Sequence, residues 1–264
     1  MNALFIGYGR MGSAIGEAWL AAGLVDGISV VDPHLAASDS ITLYKQVTEL
    51  PPIVFDLIVV AVKPAYACEA LAALPDAACA GAAVVSVAAG ITSASLVQAL
   101  RGRATVVRAM PNTPVLVGEG CTVLYADSAI GEQWRETITR LFAAVGSAHW
   151  VQHEALLNAV TAVSGSGPAY YHLFSEALAA AGVRLGLPPE LAARLAAQTA
   201  RGAAALQTQD GADFASLRRA VTSPNGTTAA AIAVFEKDAS LRELVARAAT
   251  AACRRSEELA ASGT

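Results

Sequence analysis

The sequence predicts an α/β protein: a doubly wound, mostly parallel sheet in the N-terminal half, then an all-α region. Three observations predict it. Short Val- and Ile-rich runs with little alternation alternate with helical patterns through the first half, as for parallel strands covered on both faces. A glycine-spaced turn joins the first of these runs to the first helix. Strand patterns stop at about His153, while helical patterns continue to the end.

Ala3-Leu4-Phe5-Ile6 has the length and bulk of a buried strand. Gly7, Gly9 and Gly12 follow as G-x-G-x-x-G, and Ser13–Leu20 continues as a helix. In this setting Gly7 permits the tight turn, Gly9 lets backbone approach a pyrophosphate, and Gly12 lets helix pack on strand. The helix N-terminus presents free N–H groups and a positive dipole end to the phosphates. A second strand, Ile28–Val31, ends in Asp32. That acid lies about twenty residues past the last glycine, where a ribose-binding carboxylate is expected. The reading is a Rossmann-type dinucleotide-binding unit.

Further strands are expected at Phe55–Val62, Ala83–Ala88, Thr105–Arg108, Cys121–Tyr125 and Ala148–Val151. Helices are expected at Ala67–Leu74, Ser93–Leu100 and Glu132–Val145. Beyond His153, Glu154–Val163, Pro168–Leu185, Pro189–Leu206, Phe214–Val221, Thr228–Glu236 and Leu241–Leu259 all read as helices. The domains expected are 1–152 and 153–264.

Composition narrows the function classes. At 264 residues the chain is near the size at which single cores divide. It is 55% hydrophobic and 15% charged, with much alanine, which points to helices buried in an oligomer. A membrane span is not expected, because His172, Glu176 and Arg184 interrupt the apolar stretches. The first residues lack a basic region, so no signal peptide is expected. A net charge of −4 without a basic cluster argues against nucleic acid as the partner. Cys68, Cys79, Cys121 and Cys253 form no C-x-x-C, which fits reduced thiols in a cytoplasm. His149 and His153 have no third ligand near them, so no metal site is expected.

Ligands of a doubly wound sheet bind at the carboxyl ends of its strands. Those ends run here into Lys63-Pro64, into Ala88-Ala89-Gly90 and into Pro111-Asn112-Thr113-Pro114. The Ala-Ala-Gly turn leaves room for a flat ring, and Asn112 is placed to hydrogen-bond a carboxamide. Each segment taken alone also reads as a plain strand-ending turn. In the second half, Ser164–Tyr170 (SGSGPAY) reads as a helix start with proline in its first turn. Val221–Thr228 (VTSPNGTT) makes a helix N-terminus crowded with donors, a ready carboxylate site. Ordinary N-capping explains one of its hydroxyls, not four.

Together GYGRMG, AVKP, SVAAG, MPNTP, SGSGPAY and VTSPNGTT, in this order, resemble the Δ1-pyrroline-5-carboxylate reductase family along essentially the whole chain. The resemblance implies hydride transfer from NADH or NADPH to the C=N of a five-membered cyclic imine, giving L-proline. It implies a helical C-terminal dimerisation domain, a homodimer, and further assembly of dimers into rings. By position, Gly7, Tyr8, Gly9, Arg10, Met11 and Gly12 would line the pyrophosphate. Asp32 falls at the ribose and Thr48 at the adenosine side. Ala61, Val62, Lys63 and Pro64 lie under ribose and nicotinamide, with Ala88, Ala89 and Asn112 near the ring. Ser223, Gly226 and Thr227 would meet the substrate carboxylate, Thr228 would be catalytic with its hydroxyl facing the ring nitrogen, and Glu154 matches a position near the substrate.

The chain departs from the family at two places. Asn225 stands where a glycine is usual, and Asn tolerates positive φ best among non-glycine residues. Asp32 would repel a 2′-phosphate, which favours NADH, and the basic neighbour evident in sequence is His34. One alternative is a β-hydroxyacid dehydrogenase or imine reductase. It needs a lysine on the first long helix of the second domain, and residues 151–200 contain none. The other is a nucleotide-sensing regulator without chemistry, which has no use for the hydroxyls at 222–228.

Overall fold

The computed structural model describes residues 1–37, 39–127 and 130–262. The chain forms two compact units: Met1–Ser166 with Ala252–Thr264, and Gly167–Ala251.

The first unit is built on an eight-stranded sheet in the order β3-β2-β1-β4-β5-β6-β7-β8. Its strands are β1 (Asn2–Ile6), β2 (Gly27–Val31), β3 (Thr42–Tyr44), β4 (Leu57–Val60), β5 (Ala83–Ser86), β6 (Thr105–Met110), β7 (Gly120–Ala126) and β8 (Gly146–Trp150). β1 pairs with both β2 and β4 in parallel, with Phe5 opposite Val30 and Val59. The sheet is parallel from β3 through β6, whereas β7 runs antiparallel to β6 and parallel to β8. Chain order therefore reverses between β1 and β4, which opens a ligand crevice at their carboxyl ends.

Alternate residues of each strand feed two apolar layers. Ala3 and Phe5 face α1 (Arg10–Ala21) and α5 (Glu132–Ala143), in a cluster holding Ile15, Trp19, Leu141 and Phe142. Leu4 and Ile6 face α2 (Pro64–Ala72) and α4 (Ser93–Ala99), with Leu71, Leu96 and Leu100. Trp19 is fully buried, and its indole N–H donates to the Leu141 carbonyl at 2.7 Å, so burial leaves no orphan donor. Two short elements escape the sequence pattern: edge strand β3, and α3 (Asp76–Cys79). Three or four residues carry too little periodicity to register.

The sheet ends at Trp150, close to the expected limit, with individual strands shifted by one or two residues at their ends, but the first unit runs on past it. α6 (Leu156–Val160) and a π-helical turn at Thr161–Gly165 belong to it, as does the end of α11 (Ser240–Ser262). Leu157 and Ala162 are buried, and the Ser256 hydroxyl donates to Asn158 Oδ1 at 2.8 Å. The second unit contains α7 (Gly167–Arg184), α8 (Pro189–Gln207), α9 (Phe214–Ala220), α10 (Thr227–Glu236) and the start of α11. α7 and α8 approach closely because Gly182 meets Ala192: a Cβ on Gly182 would lie 3.3 Å from the alanine Cβ. Tyr171, Leu173, Leu185 and Val234 remain mostly exposed. Among the described residues no helix is long and apolar enough to cross a membrane, and no cluster of metal-ligating side chains occurs.

Candidate active site

The turn between β1 and α1 shows what its glycines are for. Gly7 has φ +85°, and a Cβ there would lie 2.8 Å from Val62 Cγ1 and 2.9 Å from the Ala61 carbonyl carbon. A Cβ on Gly12 would strike the Gly7 carbonyl oxygen at 2.7 Å. Gly9 has nothing within 4 Å of the same position. The turn is thus closed behind and open in front, as a pyrophosphate seated on the N-terminus of α1 requires. Pro64 opens α2 with Lys63 as its N-cap residue, exposed beside Ala61 and Val62.

Asp32 stands at the end of β2 with its carboxylate turned to this loop. Oδ2 accepts the Tyr8 backbone N–H at 3.0 Å and Oδ1 that of His34 at 2.9 Å. Each oxygen keeps acceptor capacity for a ribose hydroxyl. The Tyr8 side chain is 5% exposed and meets Phe5 edge-on at 5.3 Å, so its ring belongs to the core and residue 8 contributes its backbone to the turn. Burial, helped by Glu17, pushes its phenol up to about 12. Met11 likewise packs against the core, whereas Arg10 is exposed at the first position of α1.

Thr48 lies exposed in the 3₁₀ turn Val47–Glu49. Sequence reasoning missed its neighbour Lys45. Pairing of β2 with β3 sets Tyr44 opposite Val31, and the Asp32 N–H donates to the Tyr44 carbonyl at 3.0 Å. Lys45 Nζ then reaches the Leu35 carbonyl at 2.5 Å and lies 3.5 Å from that of Pro33. An ammonium therefore sits on the loop after Asp32, and only the strand pairing reveals it.

At the next strand ends, Ala88 is buried, Ala89 half-buried, and Gly90 turns the chain at φ +77°. Glu154, expected near the substrate, is engaged instead at the end of this turn. Its Oε1 accepts from the Ser93 N–H at 2.6 Å, the Ser93 hydroxyl at 2.9 Å and Arg108 Nη1 at 2.9 Å. Burial alone would raise this carboxyl, but the Ser93 N–H, the Arg108 guanidinium and the Ser93 hydroxyl outweigh it and hold it below the usual range. A depressed folded-state value stabilises above the unfolded pKa of about 4.3 and loses that stabilisation as pH falls through it. Glu154→Gln is therefore expected to cost stability in thermal melts at neutral pH, and progressively less on acidification. A gap from wild type that does not narrow would remove the carboxylate's charge from the anchor.

Asn112 also has a different task from the one expected. It is 9% exposed; its Oδ1 accepts the Cys121 N–H at 2.8 Å and its Nδ2 donates to the Ser164 carbonyl at 3.1 Å. The reason lies in the covalent structure of the next segment. Pro168 has no N–H to offer the carbonyl four residues before it. The chain answers with the π turn Thr161–Gly165, closed by Ser166 N–H to Thr161 carbonyl at 2.8 Å, and with the Asn112 amide on the orphaned Ser164 oxygen. SGSGPAY therefore holds the end of a π turn and then the expected helix start, with Pro168 as the second residue of α7. Asn112→Ala is expected to cost about 1–3 kcal/mol in urea unfolding, the penalty for leaving buried groups unpaired. Asn112→Asp keeps the acceptor for Cys121 but loses the donor for Ser164, so a variant as stable as wild type would show the Ser164 bond to be dispensable.

The hydroxyl-rich turn lies in the second unit. Asn225 adopts φ +58°, the left-handed conformation that asparagine tolerates best among non-glycine residues. Gly226 caps α10, with its N–H donating to the Ser223 carbonyl at 3.0 Å. Thr222 is spent locally, its hydroxyl donating to the Arg218 carbonyl at 2.6 Å. Ser223, Thr227 and Thr228 make no hydrogen bond through their side chains among the described residues.

The comparisons agree with this geometry. Residues 154–259 match the model described as pyrroline-5-carboxylate reductase dimerisation, and residues 3–90 match NADP oxidoreductase coenzyme F420-dependent. A pyrroline-5-carboxylate reductase of Pseudomonas aeruginosa is 46% identical over 78% of this chain and 75% of its own. One from Pisum sativum is 36% identical over 97% and 94%. The chain belongs to the pyrroline-5-carboxylate reductase family. Solved structures of the family superpose closely: one from Coxiella burnetii has a TM-score of 0.85 at 34% identity, with 98% of each chain covered. The Plasmodium falciparum pyrroline carboxylate reductase with NADP bound also has a TM-score of 0.85, at 29% identity and with 98% of each chain covered. Within this family the open backbone at Gly9 and the carboxylate acceptors of Asp32 suit an NAD(P)H-dependent oxidoreductase.

Proposed function

We propose that the chain reduces 1-pyrroline-5-carboxylate to L-proline, the last step of proline biosynthesis. The observation that carries this reading is the donor-rich turn at 223–228 in a member of this family, with Asn225 preserving the left-handed bend. NAD(P)H, when bound, supplies the hydride. The residues of the chain bind and orient. Ser223, Gly226 and Thr227 receive the substrate carboxylate at the N-terminus of α10. The Thr228 hydroxyl meets the ring nitrogen and relays a proton to it from water, so that proton and hydride together turn C=N into CH–NH. Ala88 and Ala89 flank the ring of the dinucleotide. A cyclic imine is readily protonated in water, so the site needs no strong acid, and orientation supplies much of the rate. Domains 1–152 and 153–264 are the functional halves in this reading, even though the compact units divide elsewhere.

The enzyme acts as a homodimer, with rings of dimers as its higher assembly. The exposed Tyr171, Leu173, Leu185 and Val234 support this, since such apolar area marks a protein contact. Four free thiols suit a reducing cytoplasm. The test is turnover of 1-pyrroline-5-carboxylate with NADH and NADPH side by side, with proline as product, and sedimentation of the full chain. Dinucleotide binding without oxidation in the presence of the imine would favour a nucleotide sensor. A stable species of 26.9 kDa would dismiss the dimer.

A further inference from the structure

The turn at Ala88-Ala89-Gly90 is tied at its start, where the Ala88 N–H donates to the Ser86 hydroxyl at 3.3 Å. It lies between β5 and α4, and its glycine adopts φ +77°. One end is held by Glu154 through Ser93. Gly90 is covered from behind by the last turns of α11. A Cβ on Gly90 would lie 3.4 Å from Leu259 Cβ, 3.5 Å from the Leu259 carbonyl carbon and 3.7 Å from the Ala260 nitrogen. The backbone of the closing helix thus stands at ordinary van der Waals distance behind the turn, and it is the φ of +77° that calls for glycine at residue 90.

That helix end is pinned. Ser256 is a polar residue only 8% exposed, and its hydroxyl donates to Asn158 Oδ1 at 2.8 Å. Asn158 lies one helical turn beyond Glu154, so one short segment holds the turn through Glu154 and its cover through Asn158. The pyrophosphate turn at 7–12 is backed by a different segment, a Cβ on Gly7 lying 2.8 Å from Val62 Cγ1 and 2.9 Å from the Ala61 carbonyl carbon.

We propose that Ser256–Leu259 is a backstop for the Ala88-Ala89-Gly90 turn, with Ser256 and Leu259 as positioning residues for the nicotinamide end of the bound dinucleotide. The proposal rests on the function read above for that turn. Loosening the backstop shifts the surface against which the ring lies and leaves the pyrophosphate cradle intact. Turnover then suffers more than dinucleotide affinity.

The test compares wild type, Ser256→Ala, Ser256→Thr and Leu259→Gly as full chains, the last because the Leu259 Cβ is the side-chain atom nearest Gly90. Hydrogen exchange at the amides of 88–93 is expected to quicken in Ser256→Ala and Leu259→Gly by about two- to tenfold, the equivalent of one lost hydrogen bond. Over the same range kcat falls, while NADH affinity by fluorescence titration and the KM for the imine stay near wild type. Ser256→Thr keeps the hydroxyl and restores slow exchange. Unchanged exchange at 88–93 in both Ser256→Ala and Leu259→Gly, or a fall in affinity matching the fall in kcat, would overturn the proposal. A wild-type chain inactive on the imine would sink the functional reading instead, and exchange would still decide the backstop.

Discussion

Thr228→Ala is expected to lower kcat for 1-pyrroline-5-carboxylate by about a hundredfold, the usual loss when one positioned donor is removed from a site of developing charge. NAD(P)H affinity is expected to stay unchanged, because Thr228 lies on α10 and the dinucleotide turn on α1. The structure sharpens this expectation. Of the four hydroxyls in the turn, Thr222 is committed to the Arg218 carbonyl, and Thr228 stands at the second position of the helix. Thr228→Ser keeps the hydroxyl and should recover most of the rate. Steady-state kinetics with a fluorescence titration of NADH separates the two effects. Wild-type turnover in Thr228→Ala would remove the residue from the mechanism.

The second expected result concerns the dinucleotide. NADH should be preferred by about ten- to thirtyfold in kcat/KM, with NADPH still used. A carboxylate facing a doubly negative 2′-phosphate meets a repulsion of several kcal/mol at an effective dielectric near 20, and screening and side-chain movement leave ~1–2 kcal/mol of it. Asp32 is held for this role by the N–H groups of Tyr8 and His34, so its carboxylate cannot readily swing away. Lys45 works in the other direction, since its ammonium lies on the loop after Asp32. Asp32→Ser should shift the ratio toward NADPH. Asp32→Asn keeps one acceptor for the backbone and isolates the charge. Lys45→Met should depress NADPH use and leave NADH alone. Comparison of kcat/KM for both dinucleotides decides it; a wild type tenfold better with NADPH would end the argument from Asp32.

Most of the sheet was legible because buried parallel strands are continuous apolar runs, and because the glycine-spaced turn stands between a strand and a helix with Asp32 at the end of the next strand. Asn225 was legible too: its side chain is the non-glycine one best suited to positive φ, and φ is +58°. What stayed illegible has one cause. Tyr8, Asn112 and Glu154 are polar residues in functional segments, and sequence spacing carries no record of which polar group is already satisfied. In the fold Tyr8 turns to Phe5, Asn112 serves the carbonyl that Pro168 leaves orphaned, and Glu154 binds Ser93 and Arg108.

The sequence by itself determined the order of strands and helices, the dinucleotide turn, the donor-rich loop before α10 and the family. These depend on local chemistry: backbone freedom at glycine, fixed φ at proline, and the period of apolar residues. The tertiary structure alone decided that α6 and the end of α11 pack with the sheet, that Lys45 lies on the loop after Asp32, and that Leu259 covers Gly90. Each of these joins residues far apart in the chain. Such contacts follow from strand pairing and from the need to satisfy buried polar groups, and neither leaves a periodic trace in the sequence.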